Sequence, residues 1–421
     1  MKALHSRIPL PLALTALLAA SPVMAAENWV TTWMASPQPT WGNELPLPTR
    51  IPEALTDSTL HQRVRISSGG SRVRVVVSNE YGKQPLVIGA ARIAFVEGVD
   101  QIRAGSGHSL KFNDQEQVTL AAGETRISDP IDLAVPALSE LAIALYLPQH
   151  TPLTTFHWDG KQTAFITPGK HVDAQRLEGS EQVEARLFLS DILVDAPLDT
   201  RALVVLGDSI TDGNGSTLDS NRRWPDFLAQ RLAAQRLAVL NAGISGARLL
   251  EDGMGVSALA RFKRDVLGKP GVKTVIVMLG INDISWPGSS FAPNERLPAK
   301  EQLIAGYRQL IDQARLNNIR IIGTTLMPVE GALDGTIVKN YHSAEKEQLR
   351  QVINDWIRTS HAFDAVIDFD FMTRDPEHPS RLLPTIDSGD HLHPGDAGNK
   401  AMAEDIDLKT LMLRRRPQPG G

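Results

Sequence analysis

Cysteine is absent from all 421 residues of the chain. Thiol nucleophiles, disulfides and cysteine-based metal sites are therefore excluded outright. A charge excess of either sign is missing too: 43 Lys and Arg stand against 48 Asp and Glu, a formal net charge of −5. No basic stripe points to nucleic acid, and no acidic block points to a solvating tail. The one local cluster, Arg414-Arg415-Arg416 ahead of Pro417 to Gly421, reads as the frayed end of a last helix, so 414–421 is expected to be a disordered tail. Long apolar runs are equally scarce. Beyond the first residues, no segment reaches the ~20 uninterrupted apolar positions that a membrane helix needs. What is left is an ordinary globular composition, 42% hydrophobic and 22% charged, in a chain long enough for more than one domain and a core of normal size.

The first residues are the exception. Lys2 and Arg7 precede an apolar run from Ile8 to Ala20, followed by Ser21-Pro22-Val23-Met24-Ala25-Ala26. A positive start, a short apolar stretch and small residues at a cleavage site describe a secretory signal peptide over 1–25, cut after Ala25. The competing reading is an N-terminal membrane anchor, for which the run is short. The expectation is a soluble mature protein, secreted or periplasmic, without stable membrane insertion. Lacking disulfides, it depends on its core for stability.

From Asn28 to Asp195 the pattern is strand-like. Val64 to Ser67, Arg72 to Val77 and Leu141 to Tyr146 alternate or run in short β-rich bursts. Turn clusters such as Ser68-Gly69-Gly70, Asn79 to Gly82 and Ser128-Asp129-Pro130 separate them. An all-β sandwich or jelly-roll-like domain is predicted over 28–195. After Asp195-Ala196-Pro197 the rhythm changes. Strands at Ala202–Leu206, Val239–Leu240, Thr274–Leu279, Ile319–Leu326 and Ala365–Phe369 alternate with helices. The helices fall at Trp224–Leu237, Ala258–Leu267, Lys300–Asn317, Ala344–Ser360 and Gly395–Leu413. That alternation predicts an α/β domain over 200–413, with a five-stranded parallel sheet covered on both faces. In such sheets sites lie beyond the carboxyl ends of the strands.

The chemistry-bearing residues follow those strands. Gly207-Asp208-Ser209-Ile210-Thr211 comes directly after the first, placing a serine hydroxyl on a tight turn. Alone, the tripeptide is a weak signal, and it departs from a Gly-x-Ser-x-Gly elbow at Thr211. A serine nucleophile needs a base, and the base needs an orienting acid. Asp387-Ser388-Gly389-Asp390-His391-Leu392-His393-Pro394-Gly395 supplies both, with Asp390 three positions before His393. His391, His393, Asp387, Asp390 and Asp396 could alternatively ligate a metal, but no distant third anchor accompanies them. Two more loops offer donors for a developing oxyanion. Gly243 in Asn241 to Gly246 has a bare backbone N–H, and Asn282 in Leu279 to Asp283 has a side-chain amide. The plainer alternatives are a loop glycine and a helix cap.

Together these blocks resemble the GDSL/SGNH hydrolase superfamily. Ser209 matches its nucleophile, Gly243 and Asn282 its oxyanion-hole members alongside the Ser209 amide, and Asp390 with His393 its Asp-x-x-His-Pro block. The resemblance runs from about Arg201 to Leu413. It implies a flavodoxin-like three-layer domain, a serine ester hydrolase working through an acyl-enzyme, and no metal or organic cofactor. In the first half, Trp29 to Trp33, Arg63 to Ser67, Ser78 to Gly82 and Ser128 to Pro130 resemble the β-rich domain of a bacterial two-domain subgroup described as arylesterases or carbohydrate acetylesterases. Short acyl or acetyl esters of sugars or aryl alcohols are the expected substrates, with Trp286 a candidate to line the substrate pocket. Lysophospholipase or thioesterase activity on the same fold is an alternative. A non-catalytic polysaccharide-binding protein is the alternative from another class.

Overall fold

The computed structural model describes residues 26–177 and 179–412. The expected signal peptide and the 414–421 tail lie outside the described residues.

The first half is built from antiparallel strands. One sheet orders Trp29–Met34, Leu189–Asp195, Val73–Ser78 and Thr125–Ile127. A seven-stranded sheet is centred on Ser58–Arg65, Glu140–Leu147 and Ala90–Gly98. Alternation sets the inward face: Val73, Val75 and Val77 are fully buried, while Arg74 and Val76 between them are half-buried. These valines share one core with Leu60, Val64, Ile143 and Leu145 of the larger sheet. Among the described residues no helix precedes Ser209, in line with the all-β expectation.

The second half is the expected α/β domain. Strands β1 (Arg201–Gly207), β2 (Leu237–Gly243), β3 (Val272–Met278), β4 (Arg320–Thr324) and β5 (Ala365–Ile367) form one parallel sheet in the order β2-β1-β3-β4-β5. This is the flavodoxin-like strand order. Central strands covered on both faces read as continuous apolar runs rather than alternations, and β1 shows why. Ala202, Val204 and Leu206 face one core, and Leu203 and Val205 face a second. The helices divide accordingly. On the first side lie α3 (Ala258–Phe262), α5 (Lys300–Leu316) and α6 (Ala344–Thr359); on the second lie α2 (Trp224–Leu232) and α8 (Asp396–Asp405). The β-rich half joins the first side, so Val30 and Val64 share a core with Val204 and Leu240. Hydrogen bonds stitch the join, from Thr31 N–H to the Pro270 carbonyl at 3.0 Å and from Val239 N–H to Ser67 Oγ at 3.0 Å.

Two features depart from the expected elements. One-turn helices α1 (Ser209–Asp212), α4 (Ile281–Ser285) and α7 (Phe369–Thr373) follow β1, β3 and β5 where loops or strand continued in the sequence reading. They are too short to leave a 3.6-residue pattern, and side-chain caps start two of them: Asp208 accepts from Ile210 N–H, and Asp368 from Phe371 N–H. The last helix is also split, into α8 and α9 (Leu408–Met412). Arg231 takes the Ile406 carbonyl at 2.9 Å, and Asp407 starts the new turn by accepting from Lys409 N–H at 3.0 Å.

The rim that carries the site is pinned from below. Arg261 of α3, fully buried, donates to the Ala242 carbonyl at 2.7 Å and to the Gly207 carbonyl at 3.0 Å, joining the carboxyl ends of β2 and β1. Replacement Arg261→Leu removes both donations, leaving the Gly207 carbonyl to Ile244 N–H alone. Urea denaturation should show a loss of about 1–3 kcal/mol; an unchanged midpoint would contradict the pinning role.

Candidate active site

Ser209 is the first residue of α1, set where the strand order reverses direction. Its N–H lies ahead of the intrahelical ladder and has no acceptor among the described residues. Across the rim, the segment before α8 brings in the other partners. Ser209 Oγ lies 2.8 Å from His393 Nε2, and His393 Nδ1 lies 2.6 Å from Asp390 Oδ2. A carboxylate can only accept, so Nδ1 carries the proton and donates to Asp390. Nε2 is then left to accept from the Ser209 hydroxyl. The remaining Asp390 oxygen accepts from the N–H groups of Leu392 at 2.9 Å and His393 at 2.8 Å. Burial works against the Asp390 charge, but the His393 ring and these N–H groups outweigh it and hold the carboxyl well below the usual range. The neighbouring His391 turns outward, with Nδ1 bonded to Asp387 at 2.6 Å and the ring about half exposed. Among the described residues no three His, Asp or Glu side chains gather as metal ligands.

The donors for an oxyanion need one correction. Gly243 does not offer a free N–H, because that group donates to Asn241 Oδ1 at 2.9 Å. Its missing side chain has another reason: a Cβ there would sit 2.3 Å from the backbone nitrogen of Asp212. Gly246, three residues on in the same loop, has φ +70° and an N–H with no acceptor among the described residues. Asn282, the second residue of α4, is buried and held on both sides. Nδ2 donates to the Ala247 carbonyl at 3.0 Å, and Oδ1 accepts from Tyr341 Oη at 2.7 Å. One Nδ2 hydrogen remains. The donors left over on the loops after the first three strands are therefore Ser209 N–H, Gly246 N–H and one Asn282 Nδ2 hydrogen.

Trp286 is corrected as well. It is 2% exposed, stacked on Phe291 at 4.5 Å and covered by the Arg248 guanidinium at 5.2 Å. It packs beneath Gly246 and Gly253 and is not an open pocket wall. Trp224 is likewise a core residue, edge-on to Phe369.

Two buried acids stand behind the rim. Burial pushes the Asp208 carboxyl up to about 7 against the Ile210 N–H and the His393 charge, and its Oδ2 has no partner among the described residues. Asp283 is pushed up by burial to about 6 and anchors Leu249 and Leu250 through their N–H groups at 2.7 and 2.9 Å.

A family model described as GDSL-like lipase/acylhydrolase matches residues 203–406. The chain carries a GDSL lipase/acylhydrolase domain. Solved structures similar to it include a lipolytic protein of the G-D-S-L family from Desulfitobacterium hafniense DCB-2, at 21% identity, covering 51% of this chain and 100% of that one with a TM-score of 0.37. A GDSL-like lipase from Bacteroides thetaiotaomicron VPI-5482 is 19% identical over 50% of this chain and 88% of its own, with a TM-score of 0.38. An acetyl xylan esterase is 20% identical over 50% of this chain and 100% of its own, with a TM-score of 0.37. No curated protein matches the chain.

The β-rich half reaches into the GDSL domain at a point that local sequence patterns do not reveal. His157 Nε2 lies 2.9 Å from Asp212 Oδ1, and Nδ1 lies 3.1 Å from the Ser36 carbonyl. Both partners accept, so both ring nitrogens donate and the ring is an imidazolium. Burial opposes that charge, but Asp212 outweighs it and raises the His157 pKa. The other Asp212 oxygen accepts from Ser245 N–H at 2.9 Å and Ser245 Oγ at 2.8 Å. The loop carrying Gly246 is thus tied through α1 to a histidine of the other half. A raised folded pKa gives stability that is complete below the ordinary histidine value of about 6.5 and is lost as pH rises through the folded value. His157→Ala should therefore cost about 3–5 kcal/mol near pH 6, as breaking buried ion pairs does. The gap to wild type should narrow toward alkaline pH. Thermal melts across pH check this; a gap that widens with pH would contradict it.

Proposed function

We propose that the protein is an exported serine carboxylic ester hydrolase that works through an acyl-enzyme on short acyl or acetyl esters of sugars or aryl alcohols. The observation carrying this reading is the continuous relay from Asp390 through His393 to Ser209 Oγ, at 2.6 and 2.8 Å. His393 takes the hydroxyl proton as Ser209 Oγ attacks the ester carbonyl, and Asp390 stabilises the imidazolium that forms. Negative charge on the carbonyl oxygen meets Ser209 N–H, Gly246 N–H and the Asn282 amide. His393 then gives its proton to the departing alcohol. Water, deprotonated by the same ring, attacks the acyl-enzyme and releases the acid. No step calls for a metal or organic cofactor. Export rests on the charge, apolar run and small residues at 1–25.

Ser209→Ala should remove nearly all hydrolysis of p-nitrophenyl acetate while leaving the melting temperature close to that of the wild type. Asp390→Asn should lower kcat by about 10⁴, and Asn282→Ala by about 10²–10³. Steady-state kinetics on the purified chain measure all of these. Substantial turnover by Ser209→Ala would refute the assignment.

A further inference from the structure

Between the β-rich half and the GDSL domain lies a cleft of about 410 Å³ that the Asp390–His393–Ser209 relay does not use. Trp158, Asp159 and Lys161 line it from the first half, and Asn214 and Leu218 from the second. Its Asn214 edge adjoins the helix that carries Ser209. Asn214 N–H donates to the Ser209 carbonyl at 3.0 Å, and its side chain donates to Ser245 Oγ at 2.8 Å. The next residue, Gly215, lies against His393, where a Cβ would stand 3.1 Å from the histidine Cβ.

Asp159 is only 6% exposed. Its carboxylate nevertheless makes no hydrogen bond among the described residues, and its nearest cation, Lys161 Nζ, stands 3.8 Å away. The Lys161 ammonium makes none either. A buried charged group is normally hydrogen-bonded as well as paired, so Asp159 lacks the donors its burial calls for, beside a Lys161 that is half-buried. The carboxylate needs donors, and the ammonium needs acceptors. A free cation or anion would suit one member and repel the other. A hydroxyl group donates and accepts at once, and adjacent hydroxyls can serve both groups across the gap. Trp158, half-buried in the same wall, is covered by Arg50 at 5.9 Å and donates its ring N–H to the Pro48 carbonyl at 3.0 Å, so it shapes the cleft without offering it an open face.

We propose that this cleft binds the alcohol portion of the ester, a sugar ring whose adjacent hydroxyls bridge Asp159 and Lys161. Its role as a leaving-group subsite rests on the esterase reading above; its capacity to bind a sugar does not. The β-rich half then contributes the specificity surface, and the GDSL domain the chemistry.

Two substrates separate the outcomes: p-nitrophenyl acetate, whose alcohol has no further hydroxyl, and a monoacetylated methyl glucoside. Asp159→Asn and Lys161→Met should each lower kcat/KM for the sugar ester by about tenfold or more, mainly through KM. Turnover of the aryl ester should be unchanged. Equal losses on both substrates, or none on either, would overturn the proposal. Calorimetry with the same glucoside gives a readout independent of turnover. The whole chain carrying Ser209→Ala should bind it, and adding Asp159→Asn should weaken binding about tenfold. Absent or unaltered binding overturns the subsite. Failure of the wild type to cleave the aryl ester would instead count against the esterase reading, with calorimetry still deciding the cleft.

Discussion

A single hydrogen bond, 2.8 Å from Ser209 Oγ to His393 Nε2, joins residues 184 positions apart in the chain. It exists because the parallel sheet delivers β1 and the segment before α8 to one rim. The order β2-β1-β3 opens a crevice beside Ser209, and the apolar run 202–206 of β1 holds the strand in place. Both of its faces are packed, so displacing α1 would disturb two cores at once. Arg261 and Asp283, buried beneath the rim, hold its strand ends and its loop.

The β-rich half is part of this construction and not an appendage. It shares an apolar core with the helical side of the sheet and sends His157 to Asp212, three residues beyond the nucleophile. Asp212 therefore couples three pieces: the other domain, the helix bearing Ser209, and the loop bearing Gly246. The same stretch of chain, from His157 to Lys161, also walls the cleft at the join. Alignment of the rim and recognition of the alcohol would then be served by adjacent residues of one segment.

Much of this is legible in the sequence because Ser209, Gly246 and Asn282 sit in short blocks directly after strands, and Asp390 and His393 in one directly before a helix. Strand–helix alternation places those blocks on one edge. The spacing of Asp390 and His393 is local, so their pairing could be read from the chain. Gly243 and Gly246 illustrate the limit. Both stand in Asn241 to Gly246, and only the hydrogen bond to Asn241 Oδ1 separates the occupied N–H from the open one. Trp286 follows Asn282 closely, yet burial under Arg248 could not be inferred from that nearness. His157 left no signal, since its partner is 55 residues away and the motif containing Asp212 is already accounted for by Ser209. The short helices and the break at Ile406 depend on caps and on Arg231, which periodicity does not register.

The central claim is that the Ser209 hydroxyl is made nucleophilic by the His393 ring. A fluorophosphonate probe with peptide mapping tests it most directly. The wild type should be labelled at Ser209, and His393→Gln should remain folded but lose the label. Labelling confined to another residue, or undiminished labelling of Ser209 in His393→Gln, would contradict the account.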